Sequence, residues 1–287
     1  MNFASFNKPM AVATFAAALL GSAVMFPASA ADTGAIPNFT SIDSGWLLQG
    51  GTDFLPPPAG QQGPISNDPK YPHVGNNNQG LQPTERIANV ADPNLKPWAA
   101  AQMKERNDEV LKGKRGFVAQ SRCWPGGTPA QLLVPAEPVF FIQTPKVVYI
   151  IWQRDQNVRR IYMNQPHSAN PKPSWFGESV GHYENGELVI DTIGIAEGKF
   201  SYVDNYRTPH TKDLHVVERW KLTNDGKSLE VAATVDDPGT FNKPWTGLTR
   251  RNKVSRGPII ESYCAENNAN YFNLDEWPMP EAKKVDF

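Results

Sequence analysis

Long apolar runs are scarce in this sequence of 287 residues. The longest, residues 11–26, is too short to span a bilayer, and no later stretch approaches the run of about 18 apolar residues that a membrane helix needs. Lys8 precedes this run, and Ala28-Ser29-Ala30 fits the cleavage site of a secretory signal. We therefore expect residues 1–30 to be removed on export, which leaves a periplasmic or secreted protein without membrane insertion.

An excess of charge of one sign is also missing. The 28 Lys and Arg residues stand against 29 Asp and Glu residues, and the sequence pI is near 6.5. This balance argues against nucleic acid and against an anionic membrane as the partner. The glycine patterns of dinucleotide and phosphate loops are absent, as is the G-x-S-x-G turn of many hydrolases. The sequence therefore predicts no cofactor.

Cysteine is rare as well, since only Cys123 and Cys264 occur in the chain. In an oxidising compartment, two cysteines predict one disulfide. Two buried free thiols are the alternative.

Residues 31–95 carry few periodic apolar residues and many breakers, among them Pro56-Pro57-Pro58. Such a segment buries too little apolar surface to offset the entropy of ordering it alone. We expect an extended arm rich in Pro, Gly and Asn, with Trp46 and Phe54 as the side chains that dock on the main domain. A polar, proline-bearing tail is expected over residues 269–287.

Residues 96–268 predict one all-β domain. It begins with a helix over residues 97–112, since Pro97 suits a first helical turn and Gly113 a helix end. Short β-prone segments then follow, over residues 139–143, 147–153, 158–163, 175–184, 187–193, 214–222, 228–235, 246–254 and 259–264. Eight or nine antiparallel strands, in a chain with 26 Pro and 22 Gly, indicate an up-and-down, lipocalin-like barrel or a closed sandwich.

Turn signals predict the register of two central hairpins. Asn185-Gly186 favours a two-residue type I′ turn, because that turn needs positive φ at both central positions. Glu184 then pairs with Glu187, which places Asp191 and Thr192 on opposite faces.

The second hairpin turns near Asp225-Gly226. A pairing of Asn224 with Lys227 gives one apolar face that only Glu218 interrupts. A buried carboxylate is costly unless it is paired, protonated or open to a wet cavity. Glu218 is therefore a candidate site residue, and a salt bridge with a nearby arginine is the alternative.

The long connection between the two hairpins carries His210. A histidine at a barrel mouth, near Glu218 or Asp191, is suited to general acid–base catalysis near neutral pH. The alternative is that His210 holds the loop by hydrogen bonds to backbone carbonyls. His182, His210 and His215 suit zinc or iron in composition, but their spacing fits no ligand motif, so no metal site is predicted.

Several short blocks occur in one order along residues 97–268. They are Cys123-Trp124-Pro125-Gly126-Gly127-Thr128-Pro129, Arg160-Ile161-Tyr162, Ser179-Val180-Gly181, Leu188-Val189-Ile190-Asp191-Thr192, Pro209-His210-Thr211, Val217-Glu218-Arg219, Asp237-Pro238, Lys243-Pro244-Trp245 and Cys264-Ala265-Glu266-Asn267. On these blocks the chain resembles a large family of exported, uncharacterised β-rich proteins of Proteobacteria and Acidobacteria. The resemblance implies export and a β-rich fold, and it brings no established chemistry.

The resemblance also gives weight to the matching positions as site candidates. The catalytic candidates are His210, Glu218 and Asp191. The ligand-binding candidates are Arg160, Tyr162, Thr192, Tyr206 and Trp245, of which the aromatic ones suit the flanks of an apolar ligand.

Three functional hypotheses follow. The first is an exported β-barrel that binds a small apolar or aromatic molecule in a partly polar cavity. The second is a cofactor-independent hydrolase, lyase or isomerase that uses His210 with Glu218 or Asp191. The third is a cell-envelope interaction protein whose arm binds a partner. Neither the ligand nor the oligomeric state follows from the sequence.

Overall fold

A computed structural model describes residues 35–264, except residues 42, 73–85, 115–118, 120–122, 136 and 199. The expected signal segment and the expected C-terminal tail lie outside the described residues. Nine strands and one α-helix form in the part that is described. No helix in this part has the length and apolar character to cross a membrane.

The nine strands close into a barrel in which each strand pairs with its neighbours in the sequence and β1 pairs with β9. They are β1 (Gly45–Gln49), β2 (Val139–Gln143), β3 (Val147–Trp152), β4 (Asn157–Met163), β5 (Glu178–Glu184), β6 (Glu187–Ile193), β7 (His215–Thr223), β8 (Ser228–Asp236) and β9 (Trp245–Val254). The all-β barrel expected from the sequence is thus confirmed.

The expected all-antiparallel order is wrong at one junction. β4 and β5 run parallel, with Ile161 opposite Ser179. Parallel neighbours need a connection longer than a hairpin turn, and residues 164–177 provide it. The barrel is therefore mixed, and the lipocalin-like, strictly up-and-down description does not fit this junction.

The first strand comes from the segment that was expected to be an arm. β1 pairs with β9 along its whole length and meets β2 at Trp46 and Val139. Trp46 and Phe54 are buried in the core, as expected for docking side chains. Part of the expected arm thus supplies a barrel strand. This strand was not expected from the sequence, because pairing between residues so distant in sequence leaves no local signal.

Both predicted hairpin registers are confirmed. In the first, Glu184 lies opposite Glu187 and Val180 opposite Asp191. In the second, Glu218 lies opposite Ala233.

Two further predictions concern the ends of the domain. The helix expected over residues 97–112 is confirmed as α1, Pro97–Leu111. The strand expected over residues 259–264 is absent from the described barrel. This segment runs alongside the 3₁₀ helix Arg154–Gln156 instead. The backbone N–H of Asp155 donates to the carbonyl of Ser262, and the backbone N–H of Cys264 donates to the carboxylate of Asp155.

Large side chains occupy the barrel interior. Trp152, Trp220 and Trp245 project inward from β3, β7 and β9, and none is more than 2% exposed. The four residues of the 3₁₀ helix Ala130–Leu133 are buried as well. The barrel interior is therefore a packed core that is built around aromatic side chains.

A disulfide joins Cys123 to Cys264, as the two cysteines predicted. Disulfides persist in oxidising compartments, so this bond points to an environment outside the cytoplasm. It anchors the chain immediately before Trp124 to the strand-free segment after β9.

Replacing both cysteines by serine is expected to lower the free energy of unfolding by roughly 4 to 5 kcal/mol. The bond spans 141 residues, and its loss returns that loop entropy to the unfolded chain. Urea denaturation followed by circular dichroism measures the change. Wild-type protein treated with a reductant is the matched control and should lose the same amount. Equal midpoints for the oxidised wild type and the variant would contradict the expectation.

Candidate functional site

The three predicted catalytic residues belong to three separate environments. Glu218 points into the barrel and is fully buried, whereas Asp191 lies on the outer face of β6. His210 lies in the connection between β6 and β7, at one end of the barrel. Because side chains alternate along a strand, the wall of the barrel separates Asp191 from Glu218. The described contacts therefore do not include the predicted pairing of His210 with Glu218 or Asp191.

Glu218 forms the salt bridge with an arginine that was the alternative expected from the sequence. Its Oε2 lies 2.7 Å from Nη1 of Arg159, and both side chains are buried. Arg159 also donates to the hydroxyls of Ser179, at 3.0 Å, and Thr192, at 2.7 Å. Burial raises the pKa of Glu218, and the attraction of Arg159 opposes that rise. The sequence candidate Thr192 is thus part of an internal polar network.

Asp191 takes part in a cluster on the outer surface. Its Oδ1 is 2.9 Å from Nε2 of His215 and 2.9 Å from Nε2 of His167, whose Nδ1 faces Glu178. The hydrogen bond to His215 lowers the pKa of Asp191 and raises the pKa of His215. Sequence reasoning missed His167, because the irregular connection that carries it offers no periodicity from which to assign a face.

His210 is paired with a serine that the sequence did not single out. Its Nε2 lies 2.7 Å from Oγ of Ser201, and its Nδ1 lies 2.9 Å from the carbonyl oxygen of Thr211. The bond to a backbone carbonyl is the loop-holding contact that was the alternative to catalysis. Burial lowers the pKa of His210, while the Thr211 carbonyl, Asp237 and Glu197 act in the opposite direction.

The loop that carries both residues is tied down at several points. The carboxylate of Asp204 accepts hydrogen bonds from the backbone N–H groups of Tyr206 and Thr208. Arg106 on α1 donates to the carbonyl of Arg207, so the helix contacts the loop directly. Burial raises the pKa of Asp204 to about 6. The backbone before His210 is therefore well fixed.

Asp237 fixes the backbone after His210. Its carboxylate accepts from the backbone N–H of Thr211 at 2.6 Å and from the Thr211 hydroxyl at 2.7 Å. It also accepts from the backbone N–H of Gly239 and from the hydroxyl of Thr240. Two of these four hydrogen bonds hold Thr211, whose carbonyl His210 contacts.

An aromatic cleft of about 200 Å³ adjoins the Ser201–His210 pair. The residues that line this aromatic cleft are Trp124, Trp175, Ala196, Glu197, Gly198, Phe200 and Ser201. The ring centroid of Trp124 lies 6.2 Å from that of Trp175 and 5.5 Å from that of Phe200. The cleft is located beside the start of β5 and the end of β6.

The five predicted ligand-binding residues do not line this cleft. Arg160 and Tyr162 are exposed on the outer face of β4. Thr192 is bound to Arg159 inside the barrel. Tyr206 is buried beside Arg86, and the buried Trp245 packs on Phe54 and Phe241.

The cleft residues gave only a partial signal in the sequence. Trp124 stands in the block that contains Cys123, but Trp175, Phe200 and Ser201 stand in irregular segments. Their proximity depends on how three connections meet at one end of the barrel.

Among the residues that the structure describes, no group of three His, Cys, Asp or Glu side chains is arranged to hold a metal ion.

Fold and site together define the class of this protein as a closed, mixed nine-stranded β-barrel with an aromatic cleft at one end. Comparison of the chain with protein-family models, with curated proteins and with solved structures finds no match. The resemblance to exported proteins of Proteobacteria and Acidobacteria stays a prediction.

Glu218→Ala is expected to lower the free energy of unfolding by about 3 to 5 kcal/mol, because it leaves the buried charge of Arg159 unpaired. Asp191→Ala should cost about 1 kcal/mol or less, since its ion pair with His215 is partly exposed. Urea denaturation compares the two variants, with His182→Ala as an exposed control. Similar small losses at both carboxylates would contradict the structural role of Glu218.

The pKa values of His210 and His215 are expected to lie on opposite sides of the usual value near 6.5. The depressed value of His210 means that its contribution to stability falls as pH drops below about 6.5 toward its folded pKa. The raised value of His215 gives a contribution that is full below about 6.5 and is lost as pH rises through its folded pKa. NMR titration of the imidazole Cε1–H signals, assigned with single His→Gln variants, tests the order of the two pKa values. A higher pKa for His210 than for His215 would refute it.

Proposed function

We propose that this protein binds a small apolar or aromatic molecule in the aromatic cleft. The observation that carries the proposal is the meeting of three large aromatic side chains around one opening, with the polar residue Ser201 in the lining. Ligand sites commonly combine apolar and aromatic walls with a few polar groups. The first sequence hypothesis is thus kept for the kind of ligand but moved from the barrel interior to the cleft.

The size of the cleft limits the ligand. Its volume of about 200 Å³ lies below the usual range for drug-sized ligands, which begins at roughly 300 Å³. An apolar cavity of about 150 Å³ is enough to hold benzene. A molecule with one or two rings is therefore the best match.

The two tryptophan walls are tied to each other before any ligand arrives. The backbone N–H of Thr128 donates to the carbonyl of Trp175 at 3.1 Å. Gly127 has a positive φ, and a Cβ atom there would lie only 2.8 Å from the same carbonyl oxygen. Glycine thus permits the close approach, and the disulfide at Cys123 holds the other side of Trp124. Walls fixed in this way reduce the ordering cost of binding.

The location proposed for this binding is the periplasm or the extracellular medium. The disulfide supports an oxidising compartment, and the sequence pattern of residues 1–30 supports export. A ligand-binding protein in such a compartment meets small aromatic molecules from the surroundings of the cell.

Trp175→Ala is expected to weaken the binding of 1-naphthol at least about tenfold, or about 1.4 kcal/mol, because one wall of the cleft is removed. Isothermal titration calorimetry with phenol, indole and 1-naphthol measures the affinities. Tyr162→Ala is the matched control, since Tyr162 is an exposed aromatic residue outside the cleft. Equal affinities of the wild type and Trp175→Ala, or no binding of any of the three compounds, would overturn the proposal.

A further inference from the structure

We propose that Ser201 and His210 form a nucleophile–base pair that hydrolyses small aromatic esters bound in the aromatic cleft. The inference rests on the proposed function, because the same cleft supplies the binding site. It replaces the carboxylate partners expected from the sequence with a serine hydroxyl.

The hydrogen bonds of His210 define its tautomer. A backbone carbonyl only accepts, so the Nδ1 atom facing the Thr211 carbonyl must carry a proton. The Nε2 atom of the neutral ring then has a lone pair, and the hydroxyl of Ser201 donates to it at 2.7 Å. A nucleophilic hydroxyl likewise donates to the lone pair of its general base, within hydrogen-bond distance.

The imidazole has the support that a general base needs. The Thr211 carbonyl takes the orienting position that a carboxylate holds in serine hydrolases. Asp237 secures Thr211 by two hydrogen bonds and is a buried carboxylate whose charge raises the pKa of the ring. Asp237 is therefore a positioning residue. It also favours the imidazolium that forms when the ring accepts a proton.

Ser201 connects this pair to the ligand site. The residue is only 5% exposed, and it is part of the cleft lining together with Trp124, Trp175 and Phe200. Its backbone N–H donates to the carbonyl of Gly198, which fixes the residue at the cleft edge. One residue is thus shared by the hydrogen bond to His210 and the lining of the aromatic cleft.

The reaction balances with water as the only co-reactant. Oγ of Ser201 attacks the ester carbonyl carbon while Nε2 of His210 takes the hydroxyl proton. The carbon–oxygen bond to the leaving alcohol breaks, and the imidazolium protonates that alcohol. Water then attacks the acyl-serine with His210 as the base, which releases the acid and restores both side chains.

Phenylmethanesulfonyl fluoride tests the pair directly, because it joins one aromatic ring to an electrophile that serine nucleophiles attack with release of fluoride. The wild type should gain one phenylmethanesulfonyl group, located on Ser201 by peptide mass spectrometry. Ser201→Ala should gain none, and His210→Gln should react at least about 100-fold more slowly. Ser228→Ala and His182→Ala should react like the wild type, since both residues lie outside the cleft.

Turnover is measured by release of 4-nitrophenolate from 4-nitrophenyl acetate, which Ser201→Ala should reduce to the level of buffer. If 1-naphthol binds in the cleft but Ser201 gains no label, Ser201 is not the nucleophile and the proposed binding function is unaffected. Labelling of Ser201→Ala to the same extent as the wild type would overturn the nucleophilic role as well. Absence of cleft-dependent binding would overturn both proposals.

Discussion

Closure of the barrel by β1 is the constraint on which the other features depend. This strand comes from a proline-rich segment, yet it pairs with β9 and meets β2, so the described sheet has no free edge. Closure buries Trp46 in the core and keeps the barrel a single body. Within the barrel, the antiparallel β5–β6 hairpin brings the start of the connection between β6 and β7 beside the segment that precedes β5.

The barrel wall separates the polar groups inside the barrel from those on its outer surface. Inside, Glu218 is paired with Arg159, and a buried pair of this kind is costly to break. Outside, Asp191 bonds to two histidines in a partly exposed cluster. His210 belongs to neither face, since its loop lies at the barrel end. At that end, Nε2 of His210 lies 2.7 Å from the hydroxyl of Ser201.

Three of the short sequence blocks contribute residues to this end of the barrel. The block from Cys123 to Pro129 contributes Trp124 and the close approach of Gly127 to Trp175. The block around His210 supplies the imidazole that contacts Ser201, and Asp237, from another block, accepts hydrogen bonds from Thr211. Segments that are distant along the sequence thus lie together at one end of the barrel.

By itself the sequence determined the local features: α1, the two hairpins and their register, the disulfide, and the burial of Glu218 on an apolar face. Each depends on turn residues or periodicity within a short stretch, or on a pair of cysteines with no other partner. Only the tertiary structure decided the parallel junction of β4 with β5, the entry of β1 into the barrel, and the pairing of His210 with Ser201. These depend on contacts between segments without local periodicity, for which neighbouring residues carry no information.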